Sequence, residues 1–262
     1  MIVVGQGYQS LSRFDFGDAR IHFAKVLDVR PELVVAGQGM RALEFWEEVF
    51  SDMESLDRYS VFCFLWDRIS AFPFSRSESD QILRLSLIRR LLTLMEGESD
   101  LYVPPDLCRG FLLLETGDYV AAADELRIVV ALYPANGRLH AYLADALFMQ
   151  GKEESAGVAY AESLLLAPHD VSVASLRNSR LINIIREYGP SLAPIYGYLE
   201  GVLPLASLHS WPASDEARVY SLLMQAEQAL RLHQYAEMVA ARRGLKKLAP
   251  AILQDYLAWL ES

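Results

Sequence analysis

The amino-acid sequence predicts an all-α chain: a right-handed solenoid of helical hairpins with degenerate repeats at its flanks. Three observations carry this. Apolar residues recur at helical rather than strand spacing, and short apolar runs such as Ile128-Val129-Val130 sit inside that periodicity. Glycines and prolines fall where helices should end. A segment in the middle of the chain repeats itself with a fixed period.

The repeat is read from named residues. Gly117 and Gly151 lie 34 positions apart, as do Pro134 and Pro168. Between them Ala122 aligns with Ala156 and Leu126 with Tyr160, so each copy places a large apolar residue four after the alanine and a proline eight further on. Ala19, Phe23 and Pro31 show the same spacing near the start. Small residues at Gly110, Ala122, Ala144 and Ala156 let antiparallel helices approach closely, while Tyr119, Leu126 and Tyr160 fill the space between hairpins. Gly117 and Gly151 permit the positive φ that ends a helix.

This pattern resembles the tetratricopeptide repeat, a 34-residue helix–turn–helix unit whose second helix carries A-x3-F followed by P. The clearest copy runs from Asp106 to Pro134, with Gly117-Asp118-Tyr119 as its turn, and the next from Gly137 to Pro168 through Leu143-Ala144 and Gly151. An N-terminal copy puts Gly7 at the small position and Phe16 at the turn aromatic. A last, degraded one keeps Tyr235 and Pro250 but has Met238 and Arg242 where Ala and the aromatic belong. One such hairpin cannot bury its apolar face alone, so hairpins stack into a solenoid with a concave side.

The remaining elements follow in order. Residues 1–73 form an N-terminal helical region with the degenerate hairpin; Glu44 to Phe50 and Arg58 to Ile69 read as two aromatic-rich helices. A joint is expected at Phe72-Pro73-Phe74-Ser75-Arg76-Ser77-Glu78-Ser79. Residues 74–188 are a central region holding two clear repeats, 103–136 and 137–170. Its first helix, Asp80 to Glu96, is capped by Ser77 and apolar on almost every side, which predicts burial between neighbours. Val171 to Tyr188 reads as a further helix. Residues 189–262 are a C-terminal helical region that caps the stack, with helices at Glu216–Leu232, Tyr235–Leu248 and Ile252–Leu260.

Composition narrows the function. The 262 residues carry a formal charge of −10, so the surface repels phosphate and no nucleic acid is expected as partner. Residues 1–100 hold 11 basic and 16 acidic side chains and 101–200 hold 7 and 12, whereas 201–262 hold 6 of each. With only Cys63 and Cys108, a disulfide scaffold is excluded, and both thiols read as inert packing. The N-terminus lacks a basic region leading into a long apolar stretch, so no signal peptide is expected. Seven Pro and Gly residues break the weakly charged stretch from Tyr188 to Ser214, which predicts a bent, buried connection and no membrane span. A cytoplasmic location follows as an expectation.

No catalytic or metal-binding constellation emerges. His22, His140, His169, His209 and His233 have no ligand spacing, and no Cys-x2-Cys exists. Gly5-x-Gly7 and Gly37-x-Gly39 lack the third glycine and preceding strand of a phosphate loop. Glu47-Glu48 and Glu153-Glu154 read as solvated faces. Arg242, Arg243, Lys246 and Lys247 sit near a helix C-terminus, where cations complement the dipole. No catalytic residue, metal or cofactor is predicted.

The resemblance implies that the first helix of each hairpin lines a groove. The positions it selects are Leu107, Phe111 and Leu114, then Arg138, Ala141, Asp145 and Phe148. A groove so lined accepts a peptide or amphipathic helix of another protein. Leu107, Phe111 and Tyr142 stand where some members of the family grip a C-terminal carboxylate, so that clamp is not expected. The function predicted is a non-catalytic scaffold or adaptor. The alternative is an enzyme or accessory subunit with a pocket in the non-repeat helices 40–100 or 170–215, where Trp46, Trp66 and Tyr59 are candidate lining residues. Self-association through a C-terminal end bearing Trp259 and Leu260 is a variant of the first reading.

Overall fold

A computed structural model describes residues 2–208 and 211–261. His209, one of the five histidines, lies outside them. Among the described residues there are fourteen α-helices, one 3-10 turn and no strand beyond an isolated bridge between Val103 and Leu107. The chain is all-α. Its contacts divide it into two compact units, Met1–Gly117 and Asp118–Ser262.

The first unit holds α1 (Ile2–Ser12), α2 (Phe16–Val29), α3 (Val34–Met53), α4 (Arg58–Ala71), α5 (Glu78–Leu94) and α6 (Arg109–Thr116). Its core is built from Leu11, Phe23, Leu43, Trp46, Leu65, Leu87 and Leu91, all fully buried. Phe23 explains two glycines that looked like loop fragments. Gly7 of α1 and Gly39 of α3 both approach its ring, and a Cβ there would stand 2.6 and 2.5 Å from Cε1. Gly39 therefore lies inside a helix, and α3 starts ten residues before the aromatic-rich segment that announced it. Side-chain caps fix several starts: Asp15 accepts from Asp18 N at 3.0 Å, and Ser77 from Asp80 N at 3.2 Å. α5 buries Leu83, Leu87, Ile88 and Leu91, but Ile82 is 47% exposed, so its burial is one-sided rather than complete.

The second unit holds α7 (Tyr119–Leu132), α8 (Gly137–Met149), α9 (Glu153–Leu166), α10 (Ser179–Tyr188), α11 (Ala193–Leu199), α12 (Asp215–Arg231), α13 (Tyr235–Leu248) and α14 (Pro250–Glu261). α8 and α9 form its tightest hairpin. A Cβ on Gly137 would lie 2.6 Å from the Ser163 carbonyl, and Ser163 Oγ donates to Gly137 O at 2.6 Å. Residues 171–178 are not helical as expected. Only Val173–Ser175 makes a 3-10 turn, and Asn178 caps α10 by accepting from Leu181 N at 3.1 Å.

Four turns between helices share one backbone register. Phe14, Gly117, Gly151 and His233 all have positive φ, at 63°, 85°, 74° and 58°. Sixteen residues after each, the helix ends on Arg30, Tyr133, Ala167 or Ala249, with φ between −125° and −150° and ψ between 60° and 77°. A proline follows every time: Pro31, Pro134, Pro168 and Pro250. Two of the four turns use a non-glycine residue in the left-handed region, which costs about 1–2 kcal/mol. At Phe14, Gly151 and His233 the turn joins helices that pack on each other within one unit, α1 on α2, α8 on α9 and α12 on α13.

Candidate functional site

The residues expected to line a groove divide between exposure and burial. In the first unit Leu107 is 1% exposed and belongs to the core cluster. It sits in a bridged turn, where Val103 N donates to Leu107 O at 2.8 Å and Leu107 N to Val103 O at 3.0 Å. Helix α6 begins only after it, capped by Cys108, whose Sγ accepts from Phe111 N at 3.4 Å. Phe111 is half-buried and packs edge-on against Trp66 with ring centroids 5.7 Å apart. Leu114 is buried. Leu107 and Leu114 therefore present no surface, and Phe111 is chiefly a packing residue of its own unit.

In the second unit, Gly137, Leu139, Leu143, Ala144 and Leu147 turn one side of α8 into the hairpin. Arg138, Tyr142, Asp145 and Met149 follow one another at helical spacing on the other side. Ala141 and Asp145 are nevertheless 3% and 2% exposed. Asp145 Oδ1 accepts from Tyr160 OH at 2.5 Å and from Arg177 N at 2.8 Å, so it ties α8 to α9 and to the irregular segment before α10. Burial, and then the Asp145 charge, push the Tyr160 phenol well above its ordinary range, so it remains a donor. Arg138 Nε donates to Asp170 O at 3.1 Å. Tyr142 and Phe148 remain half-buried and Met149 is 40% exposed. Of the positions expected on this helix, Arg138 and Phe148 keep some surface; Tyr142 and Met149, which join them in the open strip on α8, were not among those positions.

Other polar residues of the hairpin serve the fold. His140 is 3% exposed; its Nε2 lies 3.0 Å from Pro134 O and its Nδ1 3.4 Å from Glu162 Oε2. Of the three aromatics offered as walls of an enzymatic pocket, Trp46 is wholly buried, Tyr59 is 52% exposed, and Trp66 lines a cavity with Phe72, Phe74, Arg84 and Phe111. Arg242 turns inward over the Tyr256 ring at 5.5 Å, which removes it from the surface cluster with Arg243, Lys246 and Lys247. Trp259 packs on Tyr198 at 5.1 Å, within the same unit. Among the described residues no group of three or more His, Cys, Asp or Glu is placed to hold a metal, and no helix is long and apolar enough to cross a membrane.

One concavity had no warning in the sequence. Within the first unit, Tyr8, Gln38, Arg41, Phe45, Arg68, Phe72 and Asp80 line a cleft of about 500 Å³. Its residues come from four helices and one loop, spread over 73 positions, so no local motif joins them.

Residues 113–179, about a quarter of the chain, match the family model described as tetratricopeptide repeat. No curated protein and no solved structure matches the chain.

Proposed function

We propose that the chain is a non-catalytic cytoplasmic adaptor that seats a peptide or helix of its partner on α8; the match of residues 113–179 to the tetratricopeptide repeat, whose repeats generally mediate contacts between proteins, supports this. One observation carries the reading. The hairpin side of α8 is closed, while Tyr142, Phe148 and Met149 on its other sides keep apolar surface in reach of solvent. Aromatic side chains and methionine supply much of the contact energy of interfaces, methionine adapting its shape to the partner. A bound segment of this kind reads as apolar anchors at i, i+3 and i+4 if helical, or at alternate positions if extended.

The test is panning of a displayed random-peptide library against the folded chain and against Tyr142→Asp/Phe148→Asp. Both positions are half-buried, so circular dichroism must first show an unchanged helical spectrum. A common motif enriched by the wild type and lost with the variant supports the reading. The same motif enriched by both moves the binding face elsewhere.

A further inference from the structure

The cleft in the first unit has a chemistry of its own. Its apolar wall is made by Phe45 and Phe72, in contact at 5.0 Å and backed by Trp46, whose ring lies 5.0 Å from Phe45 and 5.2 Å from Phe72. Its rim is fixed: Ser75 N donates to Asp80 Oδ2 at 2.9 Å, Gln81 Nε2 to Ser75 O at 2.8 Å, and Phe74 N to Phe72 O at 2.9 Å. Two arginines, Arg41 from α3 and Arg68 from α4, are among the lining residues, and neither has a carboxylate within ion-pairing distance among the described residues. Arg68 instead rests over the Phe64 ring at 4.8 Å. Both arginines are solvent-exposed, so each side chain can turn toward a ligand in the cleft. Burial pushes the Tyr8 phenol up to about 12, so at neutral pH it stands at the cleft as a neutral hydroxyl.

We propose that this cleft binds a small carboxylic acid with an apolar, preferably aromatic, body, the carboxylate taken by Arg41 and Arg68 and the body lying on Phe45 and Phe72. Three features select that ligand class. A volume of about 500 Å³ lies within the range of about 300–1,000 Å³ typical of small-molecule sites. Arg41 and Arg68 against Asp80 leave one net positive charge on the lining, which matches a monoanion rather than a doubly charged phosphate. Guanidinium groups pair with carboxylates through two parallel hydrogen bonds, and a wall of aromatic rings gives the apolar body a surface that water solvates poorly. This site is separate from the strip on α8 and does not rest on the adaptor reading.

The test is NMR titration of the full chain with phenylacetate, 4-hydroxyphenylacetate and hexanoate, against phenylacetamide, acetate and inorganic phosphate. The expected result is saturable shifts of amides around Tyr8, Arg41 and Phe72 with at least one of the three apolar acids. The neutral amide, acetate and phosphate should bind at least tenfold more weakly. Arg41→Gln and Arg68→Gln should each weaken binding tenfold or more while keeping a folded spectrum, and Ala71→Trp, which fills the cleft from its rim without changing charge, should abolish it. Arg30→Gln, remote from the cleft, should change nothing. The proposal is overturned if none of the three acids saturates, if phenylacetamide binds as well as phenylacetate, or if the shifts map elsewhere. A peptide ending in phenylalanine that saturates the cleft when the free acids do not overturns it in favour of a chain terminus.

Discussion

Phe23 offers the sharpest test of how the N-terminal hairpin is built. Its ring is fully buried, and both Gly7 and Gly39 approach the Cδ1–Cε1–Cζ edge. A Cβ at Gly39 would stand 2.5 Å from Cε1 and 2.6 Å from Cζ. Carbon atoms in contact prefer about 3.5–4.0 Å, so either the ring or α3 must move by roughly 1 Å. Overpacking of this kind costs about 1–3 kcal/mol, while alanine in place of glycine in a helix interior returns about 1 kcal/mol. Gly39→Ala is therefore expected to lower the unfolding free energy by about 0–2 kcal/mol net. Phe23→Leu removes Cε1 and Cζ, the two closest atoms. In that background the two closest approaches are gone and only the 3.0 Å approach to Cδ1 is left, so Gly39→Ala should become stabilising by up to about 1 kcal/mol. The assay is urea unfolding of the four proteins of the double-mutant cycle, followed by fluorescence of Trp46 and Trp66 in the same unit. A coupling near 2 kcal/mol with a change of sign is predicted, on the order expected for residues in contact. An equal effect of Gly39→Ala in both backgrounds would refute the packing argument.

Three further outcomes follow from the same structure. Asp145→Ala leaves the Tyr160 hydroxyl and the Arg177 amide without this acceptor, and chemical denaturation should show a loss of about 2–4 kcal/mol, with Asp145→Asn costing less. The shared turn predicts opposite signs at two homologous positions: Gly151→Ala should destabilise by about 1–2 kcal/mol, and His233→Gly should stabilise by up to about 1 kcal/mol, both read as shifts in melting temperature. Burial and its hydrogen bond to Glu227 push the Tyr256 phenol up to about 12, above its ordinary value of 10. A raised folded value means stability that is fully present below pH 10 and lost as pH climbs toward 12. Tyr256→Phe should flatten that alkaline decline in a pH series of thermal melts, and an unchanged slope would count against it.

How much of this was legible in the sequence depends on distance along the chain. The central hairpin was readable because its signals are local: Gly117, Gly151, Pro134 and Pro168 mark turns and helix ends within one period. The turns at Phe14 and His233 were harder, since the glycine that announces a left-handed residue is missing and only the proline seventeen positions on betrays them. Gly39 misled for a different reason. A glycine inside a helix reads as a break, and only the approach of Phe23, sixteen residues earlier, explains it. Among the expected groove residues, Leu107 and Asp145 were placed by register alone. Register does not reveal that a bridged turn precedes α6, or that the segment around Arg177 folds over α8. The cleft with Arg41 and Arg68 had no sequence signal, because its lining is assembled by packing from positions 8 to 80.

The adaptor reading rests on α8, so the most direct measurement is hydrogen–deuterium exchange of the full chain with and without a peptide selected by panning. The account predicts slowed exchange over residues 137–149, with α12 and α13 unchanged. Protection confined to α12–α13, or to the first unit, with none on α8 would contradict it.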